Sequence, residues 1–163
     1  MSMSVSGKGL PDLPHFAWLD EAALARLHAA TRAAECGHGG EIRLVIERSL
    51  PLHMAWNMRV RERAEALFTH LRVWDTEAQS GVLVYLNLSE QRLELVADEG
   101  IARCVAQETW QEMADTAVAT MRHGSAVDAL EHLLASIAAQ LREHYGVADD
   151  PAGNELKDEV WVL

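Results

Sequence analysis

Acidic side chains recur at the ends of the predicted strands, where their oxygens can bind cations. Glu41 begins one strand, and Asp75 and Glu77 lie in the segment that leads into the next. Asp98 and Glu99 follow a third strand. Oxygen-rich clusters favour hard divalent cations such as Ca²⁺ or Mg²⁺ over zinc. We therefore predict a divalent-cation site with Glu41, Asp75 and Asp98 as its main ligands. Glu77 and Glu99 are weaker candidates, and the alternative is that all five are solvated residues that end the strands.

A phosphatase centre is the catalytic alternative for the same cluster. Phosphomonoester hydrolysis needs a nucleophile or a metal-bound water, and positive charge for the phosphoryl oxygens. Arg103 follows Asp98-Glu99-Gly100 and is the cation best placed to contact a phosphate. The chain has no Cys-x5-Arg, Asp-x-Asp-x-Thr or Walker-type motif, so the simpler interpretation of Arg103 is a surface residue.

Histidine and cysteine residues do not form a zinc motif. Cys36 and His38 lie close together, but no second pair at ligand spacing follows and there is no His-Glu-x-x-His. A disulfide between Cys36 and Cys104 stays open from the sequence alone. The N-terminus lacks the pattern of a signal peptide, so we expect reduced thiols and a cytoplasmic location.

The charge balance limits the class of partner. Fourteen Lys and Arg against 25 Asp and Glu give a net charge of −11 over 163 residues. Nucleic acids and anionic lipid surfaces both require basic clusters, so neither is an expected partner. No apolar stretch is long enough for a transmembrane helix, so direct membrane insertion is not expected either.

The elements that must position these residues can be predicted from periodicity and capping. Alternating or continuous apolar runs predict strands over residues 41–48, 82–88 and 92–97. Helical spacing predicts helices over about 20–35, 57–71, 107–122 and 126–145. A strand-helix-strand crossover is right-handed, so the first two strands should be parallel and the third antiparallel to both. The result is a three-layer α/β/α sandwich with a small mixed sheet, which brings the acidic segments to one end of it.

The flanking segments are predicted to lie outside this domain, which spans residues 20–146. Residues 1–19 are expected to be an irregular lead-in, anchored by Phe16 and Trp18. Residues 147–163 form a tail whose apolar end can add as a strand to its own sheet or a partner's edge, or fold back over the protein's own hydrophobic surface.

Three segments resemble the TPM-domain family over about residues 20–145. They are GEIRLVIE at 40–47, VWDTEAQSGVLVYL at 73–86 and RLELVADEGI at 92–101, followed by an acidic helix near Trp110. The family includes a thylakoid-lumen acid phosphatase, a photosystem II repair protein and a nematode receptor modulator. The resemblance implies an α/β/α sandwich, weak phosphatase activity in some members, and calcium binding through acidic loop residues in others.

Carried onto this chain, the family's acidic positions match Glu41, Asp75 and Asp98. The chain departs from the family at residues 76–80, which replace a glycine-rich turn, and in having no recognisable export signal or membrane anchor. We therefore predict a noncatalytic cytoplasmic interaction module with a protein partner, which family association implies to be membrane-associated. A weak metal-dependent acid phosphatase is the alternative.

Overall fold

The computed structural model describes residues 2–11, 13, 17–53, 59–147 and 160–163. The strands in these ranges are β1 (Met3–Lys8), β2 (Glu41–Glu47), β3 (Gly81–Asn87), β4 (Arg92–Ala97) and β5 (Val160–Val162). The helices are α1 (Glu21–Ala34), α2 (Val60–His70), α3 (Glu99–Cys104), α4 (Gln107–His123) and α5 (Ala126–Tyr145). No helix within these ranges is long and apolar enough to span a bilayer.

The strands form one mixed sheet in the order β1-β4-β3-β2-β5. β2 runs parallel to β3, with Glu41 opposite Gly81, while β4 is antiparallel to β3. Both relationships were predicted from the strand-helix-strand order and the short turn between β3 and β4.

Helices cover both faces of the sheet, which confirms the three-layer α/β/α prediction. Ile42, Leu44 and Ile46 of β2 point into the core formed with α1, α4 and α5. Val45, on the other face, packs in a smaller cluster with α2. Because β3 lies between these two layers, its whole run of residues is buried, as its continuous apolar character predicted.

Both ends of α1 are marked by typical end residues. Asp20 caps α1 by accepting a hydrogen bond from the Ala23 amide at 2.8 Å. Gly37 has a positive φ of 83° just past the end of α1, a conformation that glycine adopts without strain. The predicted start of α2 at Asn57 lies outside the described residues, and the helix begins at Val60.

The prediction of an irregular lead-in is wrong for Met3–Lys8, which form β1 at the edge of the sheet. This segment is rich in Ser and Gly and has little strand propensity of its own, but it pairs along its whole length with β4. Val5 is buried, and Gly7 lies so close to α4 that a Cβ there would approach the Val118 Cγ2 to 2.7 Å. Trp18 packs on the core as predicted, whereas Phe16 lies outside the described residues.

The structure also shows what the segments around Cys104 and at the end of the tail form. Cys104 ends the short helix α3, which was not among the predicted helices, and both Cys36 and Cys104 are free and exposed, so the disulfide left open is not formed. The end of the tail, Val160–Val162, forms β5 and pairs in parallel with β2. Of the alternatives that the sequence left open for the tail, the structure shows the addition of a strand to the protein's own sheet.

Candidate functional site

The amino ends of β2 and β3 and the exit of β4 lie at the same end of the sheet. Glu41 is the register partner of Gly81 because the two strands are parallel. The amide of Asp98 donates to the carbonyl of Gly81 at 2.9 Å, which fixes the exit of β4 beside the start of β3. The backbone therefore brings together the segments that carry the predicted acidic ligands.

The three main acidic residues each have a local role. Glu41 is buried and pairs with Arg43, with 3.0 Å between Oε1 and the guanidinium Nε. Asp98 is buried and accepts a hydrogen bond from the Glu99 amide at 2.8 Å, so it caps α3. Asp75 is exposed and pairs with Arg72 at 2.6 Å. Each carboxylate is engaged by a partner from its own neighbourhood.

The weaker candidates are more exposed. Glu77 lies on the surface of the loop before β3. Glu99 forms an ion pair with Arg103 one helical turn away. The Arg103 side chain is 70% exposed, so this contact lies on the surface of α3.

As arranged, these carboxylates do not fit a divalent cation. Within the described parts of the chain, no three His, Cys, Asp or Glu side chains come close enough together to hold one. A site at Glu41, Asp75 and Asp98 would require them to leave their present partners, and it stays a prediction. Calorimetric titration of chelator-treated protein with Ca²⁺ and then Mg²⁺ tests it, because a cation that binds the native state must also raise the melting temperature.

A buried polar network that the sequence analysis missed lies beneath α2. Arg63 binds both oxygens of the Glu47 carboxylate, at 3.0 and 2.7 Å. The Tyr85 hydroxyl donates to Glu47 Oε1 at 2.6 Å, and Asn87 Nδ2 donates to that hydroxyl at 2.9 Å. Burial and the hydrogen bond to Glu47 raise the pKa of Tyr85 above its ordinary value. The phenol therefore stays protonated and continues to donate.

A second network surrounds Glu94, whose side chain is fully buried on the same face. Ser6 Oγ donates to Glu94 Oε2 at 2.6 Å, and Arg92 Nη2 donates to Oε1 at 3.2 Å. Arg61 reaches the cluster from α2 by donating to Ser6 Oγ at 3.0 Å. The two networks link α2 to strands β1, β2, β3 and β4.

The alternation of apolar and charged residues along β2 was the sequence signal that could have predicted the network around Glu47. It places Glu41, Arg43 and Glu47 on the face opposite the main core. The structure buries all three. Charged residues repeating on one face of a strand, followed by an arginine-rich helix, could have indicated this layer of ion pairs.

A groove remains where α2 does not cover the sheet. It has a volume of about 500 Å³ and lies between the carboxyl-terminal half of α2, β2 and β5; we call it the α2–β5 groove. Its basic lining is formed by the cationic residues Arg43, Arg63 and Arg72, together with His70. Its apolar lining includes Leu67, Leu71 and Trp161. The groove thus combines positive charge with an apolar floor, in a chain whose net charge is −11.

Polar atoms around the groove are only partly satisfied. Trp161 Nε1 is buried and has no hydrogen-bond partner among the described residues. Arg72 lies over the Trp74 ring, 5.7 Å from its centroid, and Trp74 Nε1 donates to the Thr69 carbonyl at 3.1 Å. The outer wall of the groove is therefore held in place by a stacked and hydrogen-bonded turn.

A second cavity, of about 690 Å³, lies at the carboxyl end of β2 on the α1 side of the sheet. Leu24, Arg48, Ser49 and Val162 are among its lining residues. Open α/β sheets commonly bind small ligands outside the carboxyl ends of their strands. This cavity is less cationic than the α2–β5 groove.

Comparison with known proteins agrees with the observed architecture. A family model described as the TPM domain matches residues 17–140. Among solved structures, the chain is similar to the BA42 protein from the psychrophilic bacterium Bizionia argentinensis, with a TM-score of 0.75 and 21% sequence identity. The similarity covers 88% of this chain and 94% of that one, and at this identity it shows the fold alone. No curated protein matches.

Proposed function

This chain belongs to the TPM domain family, and from that premise we propose that it is a noncatalytic interaction module whose docking surface is the α2–β5 groove. Its partner is a protein, and the family association points to one that is membrane-associated. A cytoplasmic location is part of the same proposal.

The uneven cover of the sheet is the observation that carries the proposal. Three helices, α1, α4 and α5, pack on one face. On the other face, among the described elements, α2 packs over β4, β3 and β1. A helix is about 10 Å across and neighbouring strands are about 4.8 Å apart, so one helix cannot cover five strands. The α2–β5 groove, whose lining includes Arg43 and Trp161, lies beside α2 on this face, and it is the docking surface that we propose.

The state of the buried charges supports a noncatalytic role. Nearby side chains donate to both carboxylate oxygens of Glu94, which is fully buried, and to both oxygens of Glu47, which also borders the 690 Å³ cavity. A catalytic carboxylate needs access to substrate and a partner that it can exchange during the reaction. The arginine named in the phosphatase alternative, Arg103, instead forms an exposed pair with Glu99.

Site-specific photo-crosslinking tests the proposed docking surface. A photoreactive amino acid at Leu71 lies in the groove, and one at the exposed Glu112 of α4 serves as a control on the opposite face. We expect Leu71 to crosslink to one partner, recovered from the membrane fraction of source cells, and Glu112 not to do so. His70→Glu should abolish the crosslink, whereas His123→Glu should preserve it. These two exposed histidines each end a helix, so the substitutions have similar effects on the helices themselves.

A phosphatase assay tests the proposal that the protein is not an enzyme. We expect no hydrolysis of p-nitrophenyl phosphate above background with Ca²⁺ or Mg²⁺. Metal-dependent turnover that Asp98→Asn and Arg103→Ala both abolish would establish the phosphatase alternative and overturn the proposal.

A further inference from the structure

We infer that residues 36–40 form an acid-sensitive clasp, which protonation of His38 releases from the end of α5 while the rest of the fold stays intact. His38 is 3% exposed and is the partner of Gly146 in an isolated antiparallel bridge. Beside it, the Gly39 amide donates to the Tyr145 carbonyl at 3.1 Å. The clasp therefore joins the turn before β2 to the point where the chain leaves α5.

The His38 ring ties this clasp to the last turn of α1 in only one protonation state. Its Nδ1 accepts a hydrogen bond from the Gly40 amide at 3.0 Å, and its Nε2 donates to the Ala34 carbonyl at 2.5 Å. Nδ1 can accept only while it carries no proton, so the ring is neutral in the closed clasp. A proton on Nδ1 would set it against the Gly40 N–H, and two donors in a buried place would be left without an acceptor.

Burial and a neighbouring cation both oppose a charged ring. Burial is the main cause that lowers the pKa of His38, and Arg142 lowers this pKa further, although the contact with Ala34 raises it. Arg142 is held in the clasp because it donates to the Cys36 and Ala33 carbonyls, each at 2.9 Å. Since the pKa is lower in the closed clasp than in a solvated ring, acid below about pH 6.5 favours the open form.

The carboxylates of the adjoining elements have partners of their own. Glu35, at the end of α1, accepts a hydrogen bond from a backbone amide of β2 at 3.0 Å, and Glu41 of β2 pairs with Arg43. On α5, the Tyr145 hydroxyl lies 3.8 Å from Cys104 Sγ. The other titratable side chains of these turns are exposed, namely Arg32, Cys36, Glu143 and His144. His38 is therefore the buried group whose charge decides the state of the clasp.

Opening can stay local because the clasp adds little to the core. Cys36, Gly37 and Gly39 are exposed, and none of residues 36–40 belongs to either hydrophobic cluster. A segment with few buried apolar contacts opens at a lower free energy than the core. Release would break the hydrogen bonds on both sides of the bridge, including the one from the Val147 amide to the Gly37 carbonyl at 3.1 Å.

Amide hydrogen exchange, followed residue by residue by NMR on the full chain, tests the inference. The reporters are the Gly39 and Val147 amides, and the reference is the Leu88 amide, which donates to the Glu47 carbonyl at the opposite end of the sheet. After correction for intrinsic exchange, we expect the protection of both reporters to fall about fivefold or more between about pH 7 and about pH 5. The reason is that each unit of pKa difference changes the opening equilibrium about tenfold. The protection of Leu88 should not change.

Two variants separate the clasp from other effects of acid. His38→Gln keeps a polar side chain that does not titrate, so the acid-dependent loss of protection should disappear. His144→Gln removes an exposed histidine from the same end of α5 and should behave like the wild type. Nitrogen NMR of the wild-type imidazoles needs no variant: at about pH 7, His38 should carry its proton on Nε2 and not on Nδ1.

Several outcomes would overturn the inference. Equal loss of protection at all three amides would show that opening is global. A loss that persists in His38→Gln, or one that disappears in His144→Gln, would assign the acid sensitivity to another group. A proton on Nδ1 of the neutral ring, or protonation of His38 with unchanged protection of Gly39 and Val147, would remove the clasp itself.

Discussion

Arg63 binds Glu47 through two parallel hydrogen bonds, Nε to Oε1 at 3.0 Å and Nη2 to Oε2 at 2.7 Å. The pair joins α2 to β2, and Arg63 also lines the α2–β5 groove. The contact that fixes the helix thus also orients one of the cations proposed for docking.

Removing Arg63 should be costly because Glu47 would remain buried without its main partner. We expect Arg63→Ala to lower the free energy of unfolding by about 3 kcal/mol, measured by urea denaturation. Arg72→Ala breaks an exposed pair with Asp75 and should cost less than about 1 kcal/mol. Similar losses in the two variants would contradict the burial of the Arg63–Glu47 pair.

Tyr85→Phe tests the hydrogen bonds of the same network. The substitution removes a donor to Glu47 and an acceptor for Asn87 while keeping the ring. We expect a loss of about 1 to 3 kcal/mol, because both remaining groups are buried. Tyr145→Phe is the matched control: Tyr145 is only partly buried and its hydroxyl lies 3.8 Å from Cys104 Sγ. A control loss as large as that of Tyr85→Phe would contradict this account.

His38 should make stability depend on acidic pH. Its Nδ1 accepts from the Gly40 amide at 3.0 Å while Nε2 contacts the Ala34 carbonyl at 2.5 Å, so the ring is neutral. Burial lowers the pKa of His38, and Arg142 adds to this effect, although the contact with Ala34 opposes it. Because the pKa is lower in the folded state, protonation favours the unfolded chain. The contribution of His38 is therefore complete above the ordinary histidine pKa of about 6.5 and is lost as the pH falls below it.

The measurement is the free energy of unfolding between about pH 7 and about pH 5, where histidine charge changes. His38→Gln should lose less stability over this range than the wild type, whereas the exposed His123→Gln should follow the wild-type curve. A wild-type slope that persists in His38→Gln would assign the acid sensitivity to other groups.

Gly100→Ala should destabilise the protein although Gly100 lies in a helix, where alanine is ordinarily preferred by about 1 kcal/mol. A Cβ at Gly100 would overlap the Ala78 carbonyl oxygen and approach that of Gln79 to 2.7 Å. We expect a loss of about 1 to 3 kcal/mol by thermal unfolding, because backbone must move. Gly39→Ala meets no atom within 4 Å and should be neutral or slightly stabilising. Stabilisation by Gly100→Ala would show that the 78–79 loop does not pack against α3 as described.

Much of the architecture could be predicted from local sequence. The long helix Ala126–Tyr145 shows its apolar stripe directly, and β3 shows an apolar run that requires cover on both faces. The parallel pairing of Glu41 with Gly81 follows from the handedness of crossovers. These strand directions also predicted that the backbones of the acidic segments meet at one end of the sheet. They did not predict which groups each acidic side chain contacts there. Asp98 caps α3, and a six-residue helix with a glycine at its second position has almost no periodic signal.

The sequence by itself determined the layer order and the directions of β2, β3 and β4, because helical spacing, strand alternation and chain chirality act over short stretches. Tertiary structure alone decided that Met3–Lys8 form a strand, that Glu47 and Glu94 are buried, and that a cationic groove remains beside α2. Ser6 and Glu94 are 88 positions apart and Tyr85 and Glu47 are 38 apart. A charged side chain is buried at low cost only when it is paired and hydrogen-bonded, and here its partners come from distant segments. These pairings form when the sheet and α2 pack together, so local sequence patterns do not predict them.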